Sequence, residues 1–227
     1  MTKLKSRRKA IGLIALSPFV ITQCTNFGSN HIKDPNFKIL DVPAIHRYDK
    51  KACLPYAIKG ICEYYNLHKS ISEINRGLNR SFGEVSYVLD GARLLSEYQL
   101  KVDLYYFQNQ LIGSYNEYDS EEGITESQIP INVISYNEHL SLETITSEID
   151  KGNPSIIFVD GYALKNKPKK GVYLGHYVTV IGYDKSNIYL NDTLKLTTRR
   201  KIENHLFQKA RLNIPWQYGM ILSKKSA

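Results

Sequence analysis

Apolar residues recur along this chain with two different spacings, and the spacing changes near the middle of the sequence. In the first half, helical spacing of apolar residues predicts helices at residues 53–67, 70–78 and 84–98. Ser70 and Glu73 stand at the offset of a capping box and mark the start of the second helix. The apolar stripe of the third helix is predicted to consist of Val85, Val88, Leu89, Ala92 and Leu95.

The second half contains short runs of β-branched, apolar and aromatic residues that are typical of strands. Strands are predicted at residues 101–107, 129–135, 155–160, 176–183, 187–191 and 218–223. Residues 184–186 separate two of these runs, a pattern that predicts a β-hairpin. Two more helices are expected, one at residues 141–151 with Ser141 as its cap and one at residues 201–210. Helices first and antiparallel strands afterwards indicate an α+β fold.

The first 24 residues have the composition of a targeting segment. A basic start is followed by an apolar stretch at residues 10–22, which ends just before Cys24. This stretch is shorter than the roughly 20 residues that a membrane-spanning helix needs. It resembles a bacterial lipoprotein signal, in which the cysteine becomes the lipidated first residue of the mature protein. The resemblance implies a protein outside the cytoplasm, held on the membrane of the bacterial envelope through a lipid on Cys24.

The resemblance to a lipoprotein signal divides the chain into three parts. Residues 1–24 are predicted to be the signal peptide, residues 25–38 a polar linker and residues 39–223 one folded domain. Gln23 stands where a lipoprotein signal usually has a small residue, so an uncleaved N-terminal anchor stays open as the alternative.

The charge pattern argues against one class of function, nucleic-acid binding. The formal net charge is +8, but five basic residues lie in the first nine positions, outside the predicted domain. The rest of the chain has no basic stripe with interleaved aromatic residues, so we do not expect a nucleic-acid partner. A metal site is the weaker alternative for the Cys, His and Asp residues discussed below, since no CxxC or HxxxH pair supports one. We expect neither a metal nor another cofactor.

Cysteine positions point to one reactive residue. Cys53 and Cys62 lie nine residues apart on one predicted helix, about 13 Å along its axis, which is too far for a disulfide. The apolar pattern places Cys62 in the core, where a cysteine behaves as a small apolar residue. Cys53 opens the helix, where the helix dipole and the N–H groups stabilise a thiolate. Cys53 is therefore the candidate nucleophile.

His176 and Asp192 are the candidate partners of Cys53. His176 opens the first strand of the predicted hairpin and Asp192 follows the second strand. Their even separation places both side chains on one face if the hairpin loop has odd length, and on opposite faces if it has even length. The sequence leaves both registers open. On a shared face, the three residues would form the nucleophile, base and orienter of acyl transfer.

Four short segments resemble the C39 and C39-like cysteine peptidases, which have a papain-like fold. Residues 41–43 read DVP, as in the first strand of that family. Residues 53–57 read CLPYA, similar to its C-G-P-x-A motif, and residues 175–184 read GHYVTVIGYD, similar to its G-H-x-V-x-V-x-G-Y-D motif. Residues 191–193 read NDT where the family has N-D-P.

The resemblance implies both a fold and a function. It implies a papain-like domain in which the nucleophile helix packs on an antiparallel sheet. It further implies that Cys53 is the nucleophile, His176 the general base and acid, and Asp192 the orienter, acting on a peptide or protein substrate. The family usually has a glutamine six residues before the cysteine as an oxyanion-hole donor, and here that position is Arg47. Leu54 also replaces the glycine of the cysteine motif.

Arg47 is therefore the candidate oxyanion-hole residue, and its identity keeps two further functions open. One is a peptide-binding module that keeps the fold and has lost catalysis. The other is an enzyme that uses the same residues to transfer an acyl group to an amine instead of water.

Overall fold

A computed structural model describes residues 37–46, 48–108, 126–167, 173–193 and 199–225. All its helices and strands belong to one compact unit, Asp34–Ala227. The predicted signal peptide, most of the linker, Cys24 and Arg47 lie outside the described residues. Among the described helices, none combines the length and the apolar composition that crossing a membrane requires.

The described residues form six α-helices and eight strands. The helices are α1 (Cys53–Tyr64), α2 (Ile71–Gly77), α3 (Val88–Glu97), α4 (Leu142–Asp150), α5 (Gly161–Leu164) and α6 (Asn204–Leu212). The strands are β1 (Lys38–Ile39), β2 (Leu100–Gln108), β3 (Val133–Tyr136), β4 (Ser155–Asp160), β5 (Gly175–Tyr183), β6 (Asn187–Asn191), β7 (Arg200–Glu203) and β8 (Trp216–Lys224). The predicted α+β class is confirmed.

The strands form one sheet in the order β3-β2-β8-β4-β5-β6-β7. Every neighbouring pair is antiparallel except β2 and β3, which run parallel. The short β1 pairs with the end of β5 at Gly182 and Tyr183, beyond the residues that pair with β4. The order places β5 between β4 and β6, so the start of β5 lies well inside the sheet.

Helices cover both faces of this sheet, because successive residues of the central strands point to opposite faces. Apolar side chains of α1, α2 and α3 pack with one set of strand residues, which includes Ile156 and Met220. Side chains of α5 and α6 pack with the other set, which includes Ile157 and Ile221. The continuous apolar run of β4 is therefore explained by burial on both faces.

Local capping signals were sufficient to locate two helix starts. Ser70 accepts the backbone N–H of Glu73, and the Glu73 side chain accepts the backbone N–H of Ser70, so the predicted capping box is present. Ser141 accepts the backbone N–H of Thr144 at 2.9 Å and caps α4. The first helix ends at Tyr64, earlier than predicted, and the left-handed backbone of Asn66 (φ 61°) follows it.

Hydrogen bonds from Arg80 and Ser81 to Glu84 overrode the predicted start of the third helix. Arg80 Nε donates to the backbone carbonyl of Glu84 at 2.9 Å, and Ser81 N–H donates to the Glu84 carboxylate at 2.7 Å. These bonds hold the segment before Val88 as a loop, so the predicted core residue Val85 lies outside the helix and is 54% exposed.

Two other predictions were wrong in detail, and one helix was not predicted. The strand predicted from residue 129 begins only at Val133, where pairing with β2 starts, and Ile131 is exposed. The start of the helix predicted at residues 201–210 is strand β7, whose one buried apolar residue, Ile202, gives no recognisable alternation. Helix α5 was not predicted, because four residues are too few to show a helical period.

Candidate active site

Cys53 is the first residue of α1, and no side chain caps that end of the helix. The positive end of the helix dipole therefore faces the Cys53 thiol without a competing acceptor from a capping side chain. Cys53 is half-buried, and α1 packs on β5, the strand that carries His176. This packing brings the helix start and the start of the strand together.

Cys62 has a different environment in the same helix. Its side chain is completely buried in the core, and burial raises the pKa of its thiol to about 12. Neither Cys53 nor Cys62 is in a disulfide within the described part of the chain. A thiol as inaccessible and as weakly acidic as Cys62 is a packing residue.

His176 and Asp192 meet in the interior of the domain. His176 is 2% exposed, and its Nε2 lies 2.9 Å from Asp192 Oδ1. The carboxylate accepts, so the imidazole carries its proton on Nε2 and leaves Nδ1 available on the opposite side of the ring. Asp192 thereby selects the tautomer of His176.

The hairpin connection alone would have kept these two side chains apart. Only residues 184–186 lie between the ends of the two strands, but Tyr183 pairs with Ile188, so the paired ends are separated by four residues. In this register, His176 and Asp192 would lie on opposite faces of the sheet.

A register shift between Val180 and Gly182 reverses that outcome. Beyond it, Val180 pairs directly with Leu190, so even-numbered residues of both strands share a face. His176 and Asp192 become diagonal neighbours on one face. The extra residue in β5 therefore decides that the two groups can bond.

His176 is also hydrogen-bonded to Cys53, which completes a chain from thiol to imidazole to carboxylate. Burial by itself would lower the pKa of His176, since it penalises the charged ring. The hydrogen bonds to Asp192 and Cys53, with the attraction of both groups, outweigh burial and raise that pKa. The arrangement favours an imidazolium beside the thiol.

Arg200 is a member of this cluster that the sequence analysis missed. Its Nη1 donates to Asp192 Oδ2 at 2.9 Å, and its Nη2 donates to the backbone carbonyl of Leu164. Arg200 belongs to a basic run, residues 199–201, that has the appearance of a solvent-exposed segment. No local pattern distinguishes the half-buried Arg200 from its neighbours.

The loop before Cys53 is held by a buried ion pair. Arg80 Nη2 donates to Asp49 Oδ2, and the side chains are 2% and 9% exposed. The backbone N–H groups of Lys51 and Gly83 also donate to the Asp49 carboxylate, at 2.9 and 3.1 Å. Burial alone would raise the pKa of Asp49, but these hydrogen bonds lower it to about 2.

A small pocket of about 80 Å³ adjoins Asp192, between α1, the segment before it and the β5–β6 hairpin. His46 lies at its rim, exposed and edge-on to the ring of Tyr48. Asn191 Nδ2 donates to the carbonyl of Val42 at 2.8 Å and fixes the hairpin to the segment before α1. Arg47 follows His46 and lies outside the described residues, so its candidate role stays a prediction.

A metal centre is not supported by the described residues. Nowhere in residues 37–46, 48–108, 126–167, 173–193 and 199–225 do three or more His, Cys, Asp or Glu side chains form a group that could hold a metal ion. Cys53, His176 and Asp192 are joined by hydrogen bonds.

The solved structures that resemble this domain include two bacterial proteins. A C39-like peptidase from Bacillus anthracis matches with a TM-score of 0.55 and 14% sequence identity, over 83% of this chain and 99% of that chain. The peptidase domain of Streptococcus ComA, a bifunctional ABC transporter of a quorum-sensing pathway, matches with a TM-score of 0.50 and 13% identity, again over 83% and 99%. At such low identities the likeness is one of fold.

No curated protein sequence gives a significant match. The sequence does match the profile of the Peptidase_C39 like family over residues 39–218, which is most of the chain. The papain-like fold expected from the four motifs is thereby confirmed. By this match and by its fold, the chain belongs to the Peptidase_C39 like family.

Proposed function

We propose that this protein is a cysteine peptidase that hydrolyses a peptide bond, with Cys53 as nucleophile, His176 as general base and acid, and Asp192 as orienter. One observation carries the proposal: the hydrogen-bonded chain from Cys53 through His176 to Asp192 at the uncapped start of α1. A cysteine that only packed would need neither partner.

The chemistry follows from this order of groups. The Cys53 proton passes to His176 Nδ1, and the thiolate attacks the carbonyl carbon, forming a C–S bond as the π electrons move to oxygen. Collapse of this intermediate breaks the C–N bond, and the imidazolium gives its proton to the leaving amine. Water then attacks the thioester while His176 takes a proton from it. The acid leaves, and the proton returns to the Cys53 sulfur.

The developing oxyanion needs a donor, and Arg47 is the proposed one. It occupies the position of the family's glutamine, six residues before Cys53. An arginine can donate an N–H and its positive charge suits an oxyanion, although its fork is longer than a glutamine amide.

Location outside the cytoplasm is also part of the proposal. It rests on the basic and apolar N-terminal residues that end at Cys24. A lipid on Cys24 would keep the domain at the surface of the membrane, and the linker at residues 25–38 would separate it from the lipid.

Selective alkylation is the first experiment. The purified protein is treated with iodoacetamide at pH 7, and the modified cysteines are quantified by peptide mass spectrometry. We expect stoichiometric labelling of Cys53 well before Cys62, since the pKa of Cys62 is about 12. Equal and slow labelling of both thiols in the folded protein would count against the proposal.

Turnover of a diverse peptide pool is the second experiment. Cys53→Ser should abolish cleavage, while Cys62→Ala, the matched control on the same helix, should keep it. Product analysis with an added amine distinguishes hydrolysis from acyl transfer. If wild-type protein binds peptides without turnover and Cys53→Ala binds equally well, the protein is a binding module and the proposed catalysis is wrong.

A further inference from the structure

We propose that Arg200 is a positioning residue of this site, which holds the Asp192 carboxylate in the orientation that selects the tautomer of His176. The inference rests on the proposed function, because it concerns how the same three groups are arranged. It adds a fourth residue, and a second ionic contact, to the chain from Cys53 to Asp192.

The pairing of β7 with β6 places Arg200 at the site. It is the first residue of β7 and pairs directly with Leu190 of β6. Asp192 comes two residues after Leu190, so Arg200 and Asp192 are diagonal neighbours on one face. His176 reaches the same carboxylate from β5, on the other side of β6. Asp192 thus receives one partner from each flanking strand.

The guanidinium is anchored at a second point. Arg200 Nη2 donates to the carbonyl of Leu164, the last residue of α5. That helix is itself fixed at its start, because the buried carboxylate of Asp160 accepts the backbone N–H groups of Tyr162 and Leu174 at 2.9 and 3.1 Å. With one nitrogen held by α5, the other has a defined position from which to bind Asp192.

Each carboxylate oxygen of Asp192 then has a defined partner. Oδ1 faces His176 Nε2 and Oδ2 faces Arg200 Nη1, both at 2.9 Å. A half-turn of the Asp192 carboxylate about its Cβ–Cγ bond exchanges two equivalent oxygens. Any smaller rotation moves Oδ1 away from His176 and Oδ2 away from Arg200 at the same time. The Asp192 side chain is 0% exposed and that of Arg200 13% exposed, so water competes little for these contacts.

The charge of Arg200 matters as much as its geometry. A buried carboxylate tends to take up a proton, and a protonated Asp192 could donate to His176 and reverse the tautomer. Arginine stays charged at all relevant pH values and favours the ionised carboxylate. Because desolvation offsets much of the attraction in a buried ion pair, we expect this contact to act on geometry more than on stability.

The test compares two adjacent arginines. Arg200→Gln removes the positive charge next to Asp192, whereas Arg199→Gln removes the same charge from an exposed pair with Asp41. The rate of Cys53 alkylation by iodoacetamide is measured from pH 5 to 10 for both variants and for the wild type. Among the described residues, Asp192 is the charged group bonded to His176, and Arg200 is bonded to Asp192 behind it.

We expect Arg200→Gln to slow Cys53 alkylation at pH 7 about tenfold, which corresponds to one unit in the pKa of the thiol. The midpoint of the pH–rate profile should move toward about 8.5, the pKa of an ordinary cysteine thiol. Arg199→Gln should match the wild type. Arg200→Lys, which keeps the charge and loses one of the two anchors, should restore part of the rate. An unchanged profile in Arg200→Gln would overturn the inference.

A double-mutant cycle separates positioning from general stabilisation. If Arg200 acts through Asp192, then Arg200→Gln should have no further effect on the alkylation profile of an Asp192→Asn variant. Additive effects would show a merely structural role. Should Arg200→Gln fail to fold, Arg200→Lys and its cycle with Asp192→Asn decide the question.

The wild-type profile keeps the two hypotheses distinguishable. If wild-type Cys53 reacts no faster than Cys62, the proposed catalytic function fails. If wild-type Cys53 is activated and Arg200→Gln is equally activated, only the role of Arg200 fails.

Discussion

His176 lies between the Cys53 thiol and the Asp192 carboxylate, and this position decides how its charge depends on pH. Burial disfavours the imidazolium, yet hydrogen bonds to both neighbours raise the pKa above its ordinary value of 6.5. The protonated ring therefore persists at pH values where an isolated histidine would be neutral, and a protonated ring stabilises a thiolate.

The raised pKa predicts a specific pH dependence of stability. A group whose pKa is higher in the folded state stabilises that state fully below its unfolded value and loses the contribution as pH rises through the folded value. The difference in free energy of unfolding between wild type and His176→Gln should therefore be largest below pH 6.5 and should decrease above it. Urea unfolding at a series of pH values measures this difference. A difference that grows with pH would contradict the raised pKa.

Arg47 gives a second prediction at this scale. If it donates to the oxyanion, Arg47→Met should lower kcat by about 100- to 1000-fold, the usual effect of removing such a donor. Arg47→Gln, which supplies the family's residue, should keep most of the activity. Steady-state kinetics on a cleaved peptide would measure both. Full activity in Arg47→Met would exclude Arg47 as a donor.

Residue-scale prediction succeeded where the position of a residue in an element depends on its local sequence. Cys53 is recognisable because a helix start is defined by its own sequence neighbours. Arg200 is not recognisable, because its contacts with Asp192 and Leu164 join segments that are separated along the chain. Nothing in residues 199–201 indicates which of the three basic side chains turns inward.

At the scale of elements, the start of α1 depends on a contact between two loops. The ion pair of Asp49 with Arg80 ties the loop before α1 to the loop after α2. Gly83 N–H binds the same carboxylate. Helix α1 therefore starts from a fixed loop, although no side chain caps it.

Breaking this ion pair should destabilise the domain. Arg80→Met leaves the Asp49 carboxylate buried without its cation, and loss of one partner of a buried pair costs about 3–5 kcal/mol. Chemical unfolding measures the change, and Lys51→Met removes an exposed charge from the same loop as the control. Because the pKa of Asp49 is lowered to about 2, the contribution should be present above pH 3.8 and lost as pH falls toward 2. Equal stability of Arg80→Met and Lys51→Met would disprove this role.

The contact of β1 with β5 requires a glycine. A Cβ at position 182 would meet the carbonyl oxygen of Lys38 and come within 2.9 Å of the Ile39 Cα. Backbone atoms cannot move aside as a flexible side chain can, so Gly182→Ala should displace β1. We expect a loss of about 1–3 kcal/mol, typical of overpacking.

Thermal unfolding would measure that loss. Gly91→Ala is a suitable comparison, because its nearest neighbour is the flexible side chain of Leu54 at 3.2 Å, and it should cost less. A Gly182→Ala variant as stable as the wild type would show that β1 does not need the close approach.

At the scale of the whole molecule, the domain and the N-terminal segment make separate contributions to the proposed function. The family profile matches residues 39–218, and the helices and strands extend from Lys38 to Lys224. The proposed lipid attachment lies before this domain, at Cys24. The chemistry and the location can therefore be tested independently.

Replacing Cys24 should change location without changing chemistry. In a bacterial host, wild-type protein should be found in the membrane fraction and incorporate a labelled fatty acid. Cys24→Ala should lose the label, because no thiol remains for acylation, and its Cys53 should still react at the wild-type rate. Equal labelling of both proteins would show that Cys24 is not lipidated.

The sequence by itself determined the features that depend on neighbours within a few residues. These include the capping box at Ser70, the cap at Ser141 and the position of Cys53 at the start of α1. It also determined the family, because the motif residues lie in short segments that can be read one at a time. Side chains and backbone groups a turn apart have their partners within reach whatever the rest of the chain does.

Only the tertiary structure decided which distant groups meet. The register shift in β5 sets whether His176 and Asp192 share a face, and the hairpin turn alone predicts the wrong result. The pairing of β7 with β6 turns Arg200 toward Asp192. Both outcomes depend on strand registers, and a displacement by one residue reverses which face each side chain occupies. Burial of the whole sheet selects one register, so the geometry of the site follows from packing that no single segment encodes.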